Sequence, residues 1–181
     1  MGTINYKTSD YITLAIKPYD YDDYKTPDFM EFIVDELGVN LEDDNEVFEA
    51  INEQMSIDYD CDYENAETII EKYNYYYFNV SLEYGYYEGF SLNLELEYNC
   101  FEDEEERAEA MEEVRNINKM LLELSGVGMV ACCPSWCTTY YNYEQTQQKI
   151  IEAIKEMTEE IKALPLENEY IQSVWGGVLI D

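Results

Sequence analysis

From Tyr11 to Lys17 apolar and polar positions alternate, with Ile12, Leu14 and Ile16 on one face and Tyr11, Thr13, Ala15 and Lys17 on the other. That period of two predicts a strand with one buried face. Lys17 to Tyr24 then interleaves Tyr with Asp and reads as an acidic, aromatic loop ending at Thr26-Pro27. Thr caps a helix there and Pro fits its first position, where a missing N–H loses no helical bond. Gly38 closes that helix. Two further short helices are expected over Glu42–Gln54 and Tyr63–Lys72, the second capped by Asp62.

The clearest alternation follows. Tyr76, Phe78, Val80, Leu82 and Tyr84 alternate with Tyr75, Tyr77, Asn79, Ser81 and Glu83; Phe90, Leu92, Leu94, Leu96 and Tyr98 alternate with Gly89, Ser91, Asn93, Glu95 and Glu97. With a turn in Gly85–Gly89, this predicts an antiparallel hairpin, apolar on one face and polar on the other. From Glu102 to Leu124 the spacing changes to three and four, through Ala108, Met111, Val114, Ile117, Leu121 and Leu124, and Ser125-Gly126 stops the helix. Val127–Cys132 reads as a short strand and Cys133–Tyr143 as a loop. Glu144–Leu164 reads as a second long helix with Ile150, Ile154, Met157, Ile161 and Leu164 inward, ended by Pro165. The tail carries Val174-Trp175 and Val178-Leu179-Ile180, apolar enough to dock on the body.

The order contains the β-α-β-β-α-β run of a ferredoxin-like split unit with extra helices. We therefore expect a two-layer α+β domain, residues 1–181, in which an antiparallel-rich sheet is covered on one face by the two long helices. A chain of 181 residues can bury a core without disulfides or metals.

Charge changes the picture. Lys and Arg number 10 against 41 Asp and Glu, a formal charge of -31, yet 46% of residues are hydrophobic, with 19 Tyr, 6 Phe and 2 Trp. Acidic disordered chains lack that apolar content, so this one folds. Direct binding to nucleic acid is disfavoured, because phosphate affinity comes from Lys and Arg, and an anionic membrane surface would be repelled likewise. The absence of His removes Ser-His and Cys-His nucleophile pairs and His-ligated catalytic zinc. Met1–Asp10 has neither a basic nor an apolar stretch of the kind a secretory leader needs, and Tyr6 stands where a myristoylation motif wants Ser or Thr. With five Cys, an odd number, free thiols in a reducing, cytoplasmic compartment are the expectation.

Specific chemistry finds little purchase. Asp58-Tyr59-Asp60-Cys61-Asp62 opens like a calcium loop, but Tyr63 replaces the required Gly and Ile69 the bidentate Glu, which favours a solvated acidic turn. Cys132, Cys133 and Cys137 lack the C-x-x-C spacing of a zinc site and suit the end of a strand. Carboxylate pairs are unspecific in a chain with so many acids, and Gly126-Val127-Gly128 follows a helix instead of opening one. No cofactor is expected.

What stands out is concentrated acidity. Eight of the twelve residues Glu102–Glu113 are acidic. Acids in a first helical turn complement the macrodipole by about 0.3–1 kcal/mol each, but a run of five exceeds that need. A rigid carboxylate surface imitates nucleic-acid phosphates: at about 1.7 Å per charge, the net charge corresponds to about 50 Å of duplex. The expected function is stoichiometric inhibition of a basic nucleic-acid-binding protein. The expected contacts are Glu102, Asp103, Glu105, Glu106, Glu109, Glu112 and Glu113, placed outward on the long helix, then Asp20, Asp22, Asp23 and Asp58, Asp60, Asp62 on loops. Competing readings are an anti-restriction DNA mimic, a generally acidic protein of a salt-rich cell, and a small cytoplasmic enzyme or metal-binding protein with a carboxylate or Cys site.

Three segments also resemble a known group: Met1-Gly2-Thr3-Ile4-Asn5-Tyr6-Lys7-Thr8-Ser9-Asp10-Tyr11-Ile12-Thr13, Gly85-Tyr86-Tyr87-Glu88-Gly89-Phe90 and Gly128-Met129-Val130-Ala131-Cys132. They are similar to small acidic proteins of phages and mobile elements of gut bacteria, and within these to type II-A anti-CRISPR inhibitors. The resemblance implies guide-loaded Cas9 as the partner, whose basic channels and PAM-reading arginines an acidic mimic would occupy. It carries over no site residues.

Overall fold

The computed structural model describes residues 10–84, 89–133 and 139–175. Met1–Ser9, residues 85–88 of the expected turn, Pro134-Ser135-Trp136, Cys137 and Val178-Leu179-Ile180 lie outside the described residues. Among those described, strands β1 (Thr13–Ala15), β2 (Phe78–Tyr84), β3 (Phe90–Leu96) and β4 (Val130–Cys132) form an antiparallel sheet in the order β2-β3-β1-β4. The helices are α1 (Pro27–Asp35), α2 (Asp44–Glu71), α3 (Glu104–Gly126), α4 (Tyr143–Ala163) and α5 (Glu167–Trp175). This is the expected two-layer α+β domain with the split β-α-β order, β3 lying between β1 and β2.

Alternation along β3 decides the layers. Phe90, Leu92, Leu94 and Leu96 are buried while Ser91, Asn93 and Glu95 are half-buried on the opposite face. Leu92 aligns with Leu14 of β1 and Leu82 of β2, and Leu14 with Ala131 of β4, so one apolar face runs across all four strands. On it pack Ala66 and Ile69 of α2, Val114, Ile117 and Leu121 of α3, and Ile150, Met157 and Ile161 of α4. The α4 helix is also tied to the sheet edge by Thr146, whose buried hydroxyl accepts from the Ala131 N–H at 2.9 Å.

β1 departs from simple alternation. Leu14 pairs with Leu92 but Asp10 bridges Glu95, so three residues before Leu14 face two of β3. This one-residue bulge resets the facing, and Tyr11 packs on the core with its ring 6.1 Å from that of Phe78. Thr13 and Ala15, expected outward, are buried because β1 is flanked by a strand on both sides.

The two short helices expected over Glu42–Gln54 and Tyr63–Lys72 are one continuous helix, α2, capped by Asp43 rather than by Asp62. No Gly or Pro interrupts residues 42–72. Asp inside a helix costs at most about 0.7 kcal/mol, which the packing of Tyr59 and Tyr63 on the main core offsets. The supposed acidic turn at Asp58–Asp62 is therefore helical.

A small second cluster of Tyr24, Ile33, Val47, Ala50 and Ile51 lies under α1 and the first half of α2. Its residues come from a 3-10 turn, Tyr21–Tyr24, and from the two helices, where a single core was expected. The Tyr19 and Tyr59 rings, 5.0 Å apart, connect it to the main core. In the tail, α5 leaves Ile171 and Val174 exposed instead of docked.

Candidate partner-binding surface

Glu113 is not part of an outward array. It is buried at 7% exposure, and its carboxylate accepts from the backbone N–H groups of Tyr76 (2.9 Å), Tyr77 (3.2 Å) and Phe78 (2.9 Å). Those N–H groups belong to the chain entering β2, which bends toward α3 there. Tyr77, expected on the wet face, is consequently buried, and Tyr76, expected inward, is 76% exposed.

Other acids of α3 are also engaged. Asp103 is the N-cap, accepting from the Glu105 and Glu106 N–H groups; the helix starts at Glu104 rather than Glu102. Glu106 accepts from the Glu102 N–H at 2.5 Å, and Glu109 from the Tyr77 hydroxyl at 3.0 Å. Glu104 pairs with Arg107, and Glu112 with Arg115. Ala108, expected in the apolar stripe, is exposed, while Glu102 and Glu105 stand free in solvent on the exposed end.

The structure brings together the two clusters expected on separate loops. Asp20 caps the 3-10 turn and accepts from the Asp22 N–H, Asp23 reaches back to the Asp20 N–H at 3.0 Å, and Asp22 pairs with Lys25 at 2.6 Å. Tyr19 and Tyr24, which flank this turn, donate to α2: the Tyr19 hydroxyl to Asp62, and the Tyr24 hydroxyl to Asp58 at 2.5 Å. Gln54 also donates to Asp58, at 2.8 Å. Asp58 and Asp62, one turn apart, face this contact, while Asp60 points to solvent. A helix turns alternate carboxylates away from one another, so the calcium-loop spacing does not converge. Among the described residues no three His, Cys, Asp or Glu side chains are grouped to hold a metal. Cys132 is a half-buried thiol, its pKa pushed up to about 11 chiefly by burial.

Sequence reasoning missed the longest regular acidic array. The α2 helix holds ten Asp and Glu and no Lys or Arg. Glu46, Glu49, Glu53, Asp60, Glu64, Glu67 and Glu71 are all exposed and recur at spacings of three and four, interrupted only by exposed Ile57. They form one stripe about 38 Å long at 1.5 Å per residue. The signal was present as that spacing together with the absence of Gly and Pro.

Burial holds the phenols of Tyr19, Tyr24, Tyr75 and Tyr77 well above their ordinary value near 10, and for Tyr19, Tyr24 and Tyr77 the hydrogen-bonded carboxylate adds to the effect. A raised folded-state pKa contributes stability that is complete below pH about 10 and is lost as pH climbs through the folded values, at most about 1.4 kcal/mol per phenol per pH unit. We expect alkaline unfolding in which these tyrosines ionise together with loss of helical dichroism. Their free titration near pH 10 with the fold intact would contradict these contacts.

Comparison of the chain with protein-family models, curated proteins and solved structures finds no match. Among the described residues no helix is long and apolar enough to cross a membrane.

Proposed function

We propose that this chain is a stoichiometric inhibitor that binds the nucleic-acid groove of a basic protein by imitating phosphates. The observation that carries the reading is the α2 stripe: seven exposed carboxylates on a rigid helix with no cation among its residues. Their mean spacing, about 6 Å, is within a factor of two of the roughly 3.4 Å per phosphate along one DNA strand. Rigidity matters because a disordered acidic tail would lose affinity to ordering on binding. The target class we propose is a bacterial defence nuclease in the cytoplasm. Guide-loaded Cas9 is the target that the sequence resemblance implies, and its basic channel is of the kind such a stripe would fill. In this reading the protein has no turnover of its own.

Titration into Cas9–guide complex tests it. Cleavage should stop at about one inhibitor per nuclease, and inhibition should weaken as salt is raised, because charge pairing is screened beyond about 10 Å at 0.1 M ionic strength. The free inhibitor should at the same time become more stable as salt relieves its self-repulsion. Inhibition persisting far below one molecule per target would replace binding with a catalytic mechanism.

A further inference from the structure

Between the 3-10 turn, α1 and the start of α2 lies a groove of about 530 Å³ whose lining joins the apolar Tyr21, Met30, Leu41, Val47 and Phe48 to the polar Lys25, Asp44 and Asn45. Phe48 and Leu41 are 54% and 47% exposed on its walls, and the Phe48 ring is braced by that of Tyr21 at 5.6 Å. Two half-exposed bulky side chains around a recess offer apolar surface that an occupant would remove from water. The groove's surroundings select the occupant: Asp44 is part of the lining, and the segment that builds the groove, residues 20–53, contains thirteen carboxylates and one cation, Lys25, which also lines the groove but is already paired with Asp22 and lies 4.6 Å above the Tyr21 ring. A second copy of this chain brings the same negative charge, and an anionic lipid surface is repelled.

We propose that this groove binds a Lys/Arg-rich segment of the partner protein, taking one or two of its bulky apolar side chains between Leu41 and Phe48 while the surrounding carboxylates hold its cations. The basic character of the partner rests on the function proposed above. The groove adds a contact that charge does not supply, since apolar burial is not screened by salt.

Two synthetic peptides of equal positive charge test this on the full chain, one alternating Lys with Leu and Trp, the other with Ser in place of Leu and Trp. Binding is measured at about 0.15 M and about 1 M ionic strength, between which the Debye length falls from about 8 to about 3 Å. The apolar peptide should bind at least about tenfold tighter, a difference of about 1.4 kcal/mol, and should keep most of its binding at high salt. Phe48→Ser and Leu41→Ser should each reduce it to the level of the Ser peptide. Leu41 precedes α2, so its variant decides the matter if loss of the Phe48–Tyr21 contact unfolds the other. Equal binding of the two peptides, or groove variants that bind like the parent, overturns the proposal. So does a dimer in sedimentation that Phe48→Ser abolishes, which would give the groove to a second copy. Nuclease inhibition that survives both groove variants leaves the phosphate mimic standing without the groove; apolar-peptide binding without nuclease inhibition leaves the groove standing without the mimic.

Discussion

Glu113→Ala is expected to cost about 3–5 kcal/mol of folding stability, the sum expected when several buried donors lose a charged acceptor at about 1–3 kcal/mol each. Three consecutive backbone N–H groups, those of Tyr76, Tyr77 and Phe78, converge on this carboxylate. Removing it leaves them in a site too buried for water to replace every bond, at about 1–3 kcal/mol per unsatisfied donor. Glu113→Gln keeps one acceptor oxygen of similar shape and should lose about half as much. Glu112→Ala next to it, which breaks an exposed i,i+3 pair with Arg115, should change stability by less than about 0.5 kcal/mol. Urea midpoints at constant m decide it. If Glu113→Ala and Glu112→Ala unfolded at the same midpoint, the inward role of Glu113 would be wrong. The inward role of Glu113 corrects its placement among the outward acids expected on the long helix.

The largest functional effect is expected from neutralising the stripe. Changing Glu49, Glu53, Asp60, Glu64, Glu67 and Glu71 to the corresponding amides removes six charges from one exposed face. At about 0.5–1 kcal/mol per screened contact, inhibition of the target nuclease should weaken by about two to four orders of magnitude. The variant should remain folded and gain stability, since like charges one turn apart repel. Amides at Glu102, Glu105 and Glu112 serve as the comparison and should cost less, because Arg107, Arg115 and Lys119 already dilute that helix. An undiminished inhibitor with the α2 stripe neutralised would move the contact to α3 or to the Asp20–Asp23 turn.

What could be read in advance followed from local periodicity. β3, α3 and α4 announced themselves because each buries one face at a single unbroken period, and Thr26-Pro27 marked the start of α1 by cap chemistry alone. The misreadings arose where a distant residue decided the outcome. Asp58, Tyr59, Asp60, Cys61 and Asp62 have the composition of a turn, and contacts from elsewhere, the packing of Tyr59 on the main core and the hydroxyls of Tyr19 and Tyr24 about 40 residues away in the chain, hold them as a stretch of helix. Glu113 sits in a run of acids that is otherwise solvent-facing, and nothing near it in sequence reveals that the strand entering at Tyr76–Phe78 would need an acceptor. Tyr11 was misplaced by a bulge, a pairing event between strands about 80 residues apart. The candidate surface suffered in the same way, since dividing α2 into two pieces hid its stripe.

The choice of tyrosine as the partner of Asp58, Asp62 and Glu109 has a consequence for how the molecule answers its surroundings. A lysine reaching Asp58, Asp62 or Glu109 would fasten the same elements and cancel a negative charge each time. A phenol fastens them while the field outside stays whole. Its bond to a carboxylate also lacks the net attraction between opposite ions that dissolved salt weakens. The seams of this protein and its outward field thus respond to different variables: alkali opens the one, and ionic strength dims the other while the molecule keeps its shape.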